Sequence, residues 1–200
     1  MTINTLIEIV GAITVFMSTI YARKEHVITW FWAAAGSILY FIVYWEAELY
    51  ASAEIQVLYL TLSIYGLIIW MRGKSKDKSK ALKIIGVTSA QLIWTSSLIL
   101  VLTSLLSQIN NSSNNWMIVY TDAALVSLAI VAQGLMAKKY FLCWYLWLIV
   151  NIGYLPLFAV QQLWVSFLLY VFLFYFTFNG FLTWRNKLNE KNESTYSYLS

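Results

Sequence analysis

The chain has 200 residues, of which 60% are hydrophobic and only 11% are charged. A soluble domain carries roughly 25% charged residues, so this composition excludes an ordinary soluble domain. The single cysteine, Cys143, excludes a disulfide within the chain.

Seven apolar blocks follow one another along the chain. A helix needs about 20 apolar residues to cross a bilayer core of roughly 30 Å. The blocks run over 4–21, 27–45, 50–70, 84–106, 116–136, 141–159 and 163–184. No basic region precedes the first block and no small-residue cleavage site follows it, which favours a retained helix over a signal peptide. We therefore predict an all-α membrane protein with seven transmembrane helices, forming a single domain over residues 1–187.

All 13 Lys and Arg residues lie in the turns after predicted helices 1, 3 and 5 or in the tail after helix 7. They are Arg23, Lys24, Arg72, Lys74, Lys76, Lys78, Lys80, Lys83, Lys138, Lys139, Arg185, Lys187 and Lys191. The alternate turns, at 46–49, 107–115 and 160–163, contain no basic residue. Because cytoplasmic loops collect Lys and Arg, this placement predicts the N-terminus outside, the C-terminus inside and a cytoplasmic tail over 188–200. The net charge of +4 therefore indicates topology, and no nucleic-acid partner is predicted.

The first three predicted helices resemble the last three. The aligned pairs include Trp32 with Trp147 and Gly36 with Asn151 at a shift of 115 residues, and Gly66 with Gly180 and Trp70 with Trp184 at a shift of 114. One residue lost from an outer loop would explain the change of shift. Since basic residues occupy matching ends, the two triplets of helices point the same way, and helix 4 must reverse the chain between them.

This pattern predicts a 3+1+3 arrangement of parallel repeats. Repeat 1 covers about 4–70, the linker helix about 84–106 and repeat 2 about 116–184. Transporters built from such repeats hold their substrate between the halves near the bilayer midplane, and they alternate access by rocking one half against the other.

Helical spacing places polar residues on shared faces. On helix 6, Trp144, Trp147, Asn151 and Tyr154 share one face, and Asn151 lies near the middle of the helix. An amide within a membrane either bonds to another helix, which is worth about 0.6 kcal/mol on average, or contacts a substrate. Trp147, one turn away on the same face, favours the substrate contact.

Three further residues are candidates for substrate contact. Gln56 and Tyr59 share a stripe on helix 3, and Trp32 lies deep in helix 2. The corresponding stripe on helix 5 consists of Asp122, Val126, Ala129 and Gln133. Asp122 and Glu54 lie near the outer ends of their helices, where a carboxylate reaches water, so we interpret both as solvated charges.

Motifs of several other protein classes are absent from the sequence. It has no P-loop motif and no H-E-x-x-H motif, and its one histidine, His26, has no Cys/His cluster around it that could hold a metal. No serine lies with a His and an acid in a catalytic set, and predicted helix 7 lacks the lysine of a retinal-binding protein. The membrane segments also lack a chain of carboxylates, which disfavours ion coupling. We therefore predict a passive carrier rather than an enzyme, with no catalytic residue, cofactor or metal site.

Three blocks of the sequence resemble the PnuC family of bacterial vitamin transporters, best known for nicotinamide riboside. They are "LYASAEIQVLYLTLSIYGLIIW" at 49–70, "DAALVSLAIVAQGLMAKKY" at 122–140 and "WYLWLIVNIGYLPLF" at 144–158, and the match covers essentially residues 5–187. The sequence departs from the family at the start of helix 2, which lacks a proline, and at Ser52, where the family has Asp. These departures bear on substrate identity more than on fold.

The resemblance implies a SWEET-like 3+1+3 fold in the bacterial inner membrane, with a homotrimer as an option. It implies facilitated diffusion of nicotinamide riboside, a small-molecule substrate that a cytoplasmic kinase traps by phosphorylation. By motif match, the resemblance implies that Gln56, Trp147 and Asn151 bind the substrate, together with Trp144 and Tyr59. A thiamine carrier, a SWEET-type sugar carrier and a non-transporting membrane receptor remain as alternatives.

Overall fold

The computed structural model describes residues 3–46, 50–73, 82–109, 116–160 and 164–197. These residues form seven helices and no extended sheet. The helices are α1 (Ile3–Arg23), α2 (Ile28–Glu46), α3 (Tyr50–Arg72), α4 (Ser89–Ile109), α5 (Trp116–Ala137), α6 (Leu142–Val160) and α7 (Trp164–Ser197). Helices α2 to α7 are each long and apolar enough to cross a bilayer, and α1 contributes a shorter apolar stretch over Ile9–Arg23.

Helix α4 begins later than the apolar block that predicted it. Residues 82–88 are not helical, and Ile85 exchanges backbone hydrogen bonds with Lys139 and Phe141. The helix then starts at a reciprocal cap. The Thr88 backbone N–H donates to Gln91 Oε1 at 3.2 Å, and the Gln91 backbone N–H donates to Thr88 Oγ1 at 3.3 Å. This capping box, which satisfies two otherwise unpaired donors, sets the start of α4.

Helix α7 continues beyond its apolar block, which ends at 184, and runs to Ser197. The sequence from Arg185 to Ser197 contains neither Gly nor Pro, the two residues that most often end a helix. The helix therefore carries on through polar residues after its membrane-spanning part.

The helices pack as two triplets in contact along two interfaces. Within the first triplet α2 packs on α1 and α3, and within the second α6 packs on α5 and α7. Between the triplets, α1 packs on α7 and α3 packs on α5, while α4 packs on α5. By order within the triplets, α1 corresponds to α5 and α3 corresponds to α7. The α1–α7 interface therefore corresponds to the α5–α3 interface.

Matching contacts recur at a spacing of 114 residues. Trp30 meets Trp70 edge-to-face with ring centroids 5.5 Å apart, and Trp144 meets Trp184 in the same way at 5.4 Å. Gly66 lies against the Trp30 indole, as Gly180 lies against that of Trp144. Small residues let a large ring approach the helix backbone closely, so each triplet is held by the same Trp–Trp–Gly contact.

These contacts correct the register that the sequence predicted for the second and sixth helices. A shift of 115 paired Trp32 with Trp147, whereas the shared contacts pair Trp30 with Trp144 at a shift of 114. At this shift the sequence aligns Asn151 with Ser37. Both helices begin with two closely spaced tryptophans, so a sequence alignment does not show which of the two indoles packs against the glycine of the next helix.

An ionic cluster joins the triplets at the end of the bundle that carries the basic residues. Glu25, in the turn between α1 and α2, contacts Lys139 and Lys187, each at 2.6 Å. Lys139 lies 114 residues after Glu25, and both have positive φ angles, 53° and 57°. Burial acts to raise the pKa of Glu25, but the two lysines outweigh it and hold that pKa below its ordinary value of 4.5. The cluster thus favours close contact between the triplets at this end.

Candidate functional site

A cavity of about 730 Å³ lies between the two triplets, and residues of all seven helices line it. Its volume is within the range of about 300–1,000 Å³ that is usual for small-molecule sites. The wall combines amides, hydroxyls and aromatic rings. A cavity with polar groups on a mainly apolar wall, inside a bundle of apolar helices, is the kind of place where a membrane protein holds a polar substrate.

The cavity brings together five of the six residues that the sequence singled out. They are Gln56, Tyr59, Trp144, Trp147 and Asn151. Trp32 is not among the residues that line it. Its indole N–H is buried and has no hydrogen-bond partner in the described part of the chain. One residue along, Ala33 lines the cavity instead, so the rotation of α2 takes Trp32 away from the site.

Asn151 lies at the centre of α6, and its side chain is only 4% exposed. Its Nδ2 donates to Thr177 Oγ1 on α7 at 3.0 Å, and Thr177 is 3% exposed. The bond between helices that the sequence offered as one interpretation is therefore present. Both residues also line the cavity. An amide has two N–H donors and one acceptor oxygen, so this single bond orients Asn151 without using its full hydrogen-bonding capacity.

The two tryptophans of α6 differ in their surroundings. Trp144 is 1% exposed and is enclosed by Gly180 and Trp184, so most of its ring serves packing inside the second triplet. Trp147 is only partly buried and lines the same cavity. Trp147 is accordingly the better placed of the two indoles to stack on a planar ligand.

Helix α3 of the first triplet faces the cavity with Gln56 and Tyr59, and both residues are partly buried. The stripe predicted on α5 also faces this space, since Asp122, Val126, Ala129 and Gln133 all line it. Helical periodicity in the sequence therefore identified the faces of α5 and α6 that line the cavity, and on α3 it identified Gln56 and Tyr59.

Two carboxylates, Asp122 and Glu54, also lie on the cavity wall. The sequence predicted both as solvated charges at helix ends, and Glu54 is indeed exposed, whereas Asp122 is partly buried. The Tyr154 hydroxyl donates to Asp122 Oδ1 at 3.2 Å, which ties α5 to α6. The sequence did indicate that both residues face the cavity, because Asp122 shares a stripe with Gln133 on α5 and Tyr154 shares a face with Asn151 on α6.

A family model described as "Nicotinamide mononucleotide transporter" matches residues 5–186 of the chain. The chain is 26% identical over 215 aligned positions to "Nicotinamide riboside transporter PnuC" of Escherichia coli (strain K12), covering 96% of this chain and 90% of the relative. A relative of the same name from Shigella flexneri matches equally.

The fold is also similar to a solved structure, "Crystal structure of the Vitamin B3 transporter PnuC", with a TM-score of 0.74 and 22% identity. This likeness covers 93% of the chain and 83% of that structure. With its apolar helices, the chain is a multi-pass protein of the bacterial inner membrane, and its relatives are transporters, not enzymes. Because the family model spans nearly its whole length, the chain belongs to the nicotinamide mononucleotide transporter family.

Proposed function

We propose that the protein takes up nicotinamide riboside by facilitated diffusion and that phosphorylation inside the cell maintains net uptake. The observation that carries this proposal is the cavity between the triplets, which Trp147, Asn151 and Gln56 all line. A planar base would stack on Trp147, while the two amides would bond to its carboxamide or to the ribose hydroxyls.

The charges around the cavity favour the riboside over the mononucleotide. Its described lining includes the carboxylates of Asp122 and Glu54 and contains no Lys or Arg. A phosphate monoester has a charge of about −1.5 to −2 at neutral pH and normally requires Arg, Lys or a row of backbone N–H groups. A nucleoside without phosphate fits this lining, and a nucleotide would meet only negative charge.

The proposed architecture is the 3+1+3 arrangement of parallel repeats, with the N-terminus outside and the C-terminus inside. The recurring Trp–Trp–Gly contact and the two equivalent interfaces between triplets support it. The sorting of basic residues supports the orientation. Alternating access would then be a rocking of α1–α3 against α5–α7 about the cavity. Assembly as a homotrimer stays a prediction from the resemblance.

Within this proposal the residues have separate roles. Trp147 provides the stacking surface, Asn151 and Gln56 provide polar contacts, and Tyr59 completes the wall on α3. Trp144 acts mainly by fixing α6 against α7. Trp32 has no part in the proposed site because it does not line the cavity.

The test is transport of labelled riboside into liposomes that contain the purified protein. We expect saturable uptake that stops at equal concentrations on both sides and does not respond to an imposed proton or sodium gradient. Accumulation above equilibrium would contradict passive transport. Stronger competition by thiamine or by a sugar would reassign the substrate, and absence of all flux would favour a receptor.

Two variants test the site. Asn151→Leu and Gln56→Leu should each weaken riboside binding by about tenfold, since an unpaired polar group on a buried ligand costs about 1–3 kcal/mol. Asn179→Leu is a matched control, because Asn179 is on α7 and is not among the residues that line the cavity. Unchanged affinity in both site variants would remove the assignment.

A further inference from the structure

Asp122 occupies an unusual place for a carboxylate. It lies on α5, a helix that is apolar enough to span the membrane, and it lines the central cavity. The Tyr154 hydroxyl holds it by a hydrogen bond of 3.2 Å. Ionisable groups in membrane-spanning helices are costly, and they are found mostly where a substrate, an ion or water meets them. Asp122 therefore needs an explanation beyond a chance position near the helix end.

Five tyrosines line the same cavity. They are Tyr40, Tyr44, Tyr59, Tyr154 and Tyr170. Tyr154 packs on Tyr170 with ring centroids 5.1 Å apart, and Phe158 meets both rings at 5.3 and 5.0 Å. Tyr40 and Tyr44 stack at 5.8 Å. Aromatic faces have a partial negative charge and attract cations, most strongly where water is excluded.

The carboxylate and the tyrosines come from both triplets. Asp122, Tyr154 and Tyr170 lie on α5, α6 and α7, while Tyr59 lies on α3. The lining described above holds no cationic side chain at any point. The cavity thus has a negatively charged, aromatic region shared by the two halves, and the amides of Gln56 and Asn151 line the same cavity.

We propose that Asp122, together with the surrounding tyrosines, selects substrates by the positive charge of their ring. The inference rests on the proposed function and deepens it. The amides recognise hydrogen-bonding groups that many ring compounds share, whereas Asp122 recognises the fixed charge of an N-substituted aromatic cation such as a pyridinium. A neutral ring of nearly the same shape would make the same amide contacts and lose the attraction of the carboxylate and the aromatic faces.

Nicotinamide riboside has a neutral counterpart that isolates this effect. Its reduced, 1,4-dihydropyridine form keeps the ribose and the carboxamide, and its ring nitrogen has no positive charge. We expect the wild-type protein to bind the cationic form at least about tenfold more tightly than the reduced form, because a carboxylate and several aromatic faces act on the same charge inside a membrane-embedded cavity.

The experiment measures the affinities of both forms for the purified wild-type protein and for Asp122→Asn. The substitution keeps the size of the side chain and an oxygen that can accept from Tyr154, and it removes the charge. We expect the preference for the cation to fall to about twofold or less, mainly through weaker binding of the cationic form. Glu46→Gln is the matched control, because Glu46 is exposed at the end of α2 and is not among the residues that line the cavity.

The outcomes separate the two proposals. Equal binding of both forms by the wild-type protein overturns the role of Asp122 and leaves riboside transport standing. Equal weakening of both forms in Asp122→Asn also overturns it, since that is the result of a merely structural Asp122. Binding of neither form by the wild-type protein overturns the proposed function and this inference with it. If Asp122→Asn fails to fold, Asp122→Ser removes the charge in its place, and the same loss of preference is expected. A preference for the cation that persists in the charge-removing variant overturns the role of Asp122.

Discussion

Adding one methyl group at Gly66 is expected to destabilise the first triplet of helices. A Cβ atom at this position would lie 2.5 Å from Cε2 and Cζ2 of Trp30. Carbon atoms in contact are normally about 3.5–4.0 Å apart, so the indole and α3 would have to separate by about 1 Å. Trp30 is only 1% exposed, and its ring also packs against Trp70, so it has little room to move.

The expected change in the free energy of unfolding for Gly66→Ala is the difference between two opposing effects. Overpacking of this kind costs about 1–3 kcal/mol, while replacing Gly by Ala inside a helix returns about 0.5–1 kcal/mol. The net loss is then about 0–2.5 kcal/mol, and the short distance to a tightly packed ring places Gly66→Ala in the upper half of this range. Gly180→Ala should behave in the same way, because Gly180 has the same relation to Trp144.

Thermal unfolding of the purified protein in detergent, followed by tryptophan fluorescence, measures this effect. Gly134→Ala is the matched control, since a Cβ at Gly134 on α5 meets nothing within 4 Å and should raise the melting temperature slightly. A melting temperature for Gly66→Ala equal to that of Gly134→Ala would refute the close Trp–Gly contact. Opposite effects at Gly66 and Gly180 would refute the equivalence of the two triplets.

Two further predictions concern contacts between helices. Thr177→Val should lower the free energy of unfolding by about 1–3 kcal/mol and weaken riboside binding, because Asn151 loses its buried acceptor. Thermal unfolding measures the loss of stability and titration calorimetry measures the binding. Thr183→Val is the control, since Thr183 is not among the residues that line the cavity. Glu25→Gln should lower the melting temperature near neutral pH. Since the folded-state pKa of Glu25 lies below 4.5, its contribution is present above that pH and is lost as the pH falls through the folded-state value. The melting temperatures of wild type and variant should therefore converge on acidification, and a constant difference would contradict the ionic cluster.

The sequence alone was enough for the membrane class, the helices and several faces of the cavity. The seven apolar blocks predicted the positions of the seven observed helices, because a span depends only on a continuous run of apolar residues. The stripe from Asp122 to Gln133 lines the cavity as its period of 3.6 residues indicates. These are local properties, repeated within single helices, so no knowledge of neighbouring helices was required.

The tertiary structure decided which residues meet. Thr177 is the partner of Asn151 across 26 residues of chain, Glu25 pairs with Lys139 across 114, and no local pattern specifies either contact. The register of the triplets also depended on which tryptophan packs against Gly66, and that contact moved Trp32 away from the site. The packing of α5 against α6 likewise brought Asp122 into contact with Tyr154 on the cavity wall. Periodicity tells which residues share a face, and only the packing of the other helices decides whether that face meets lipid, protein or a cavity.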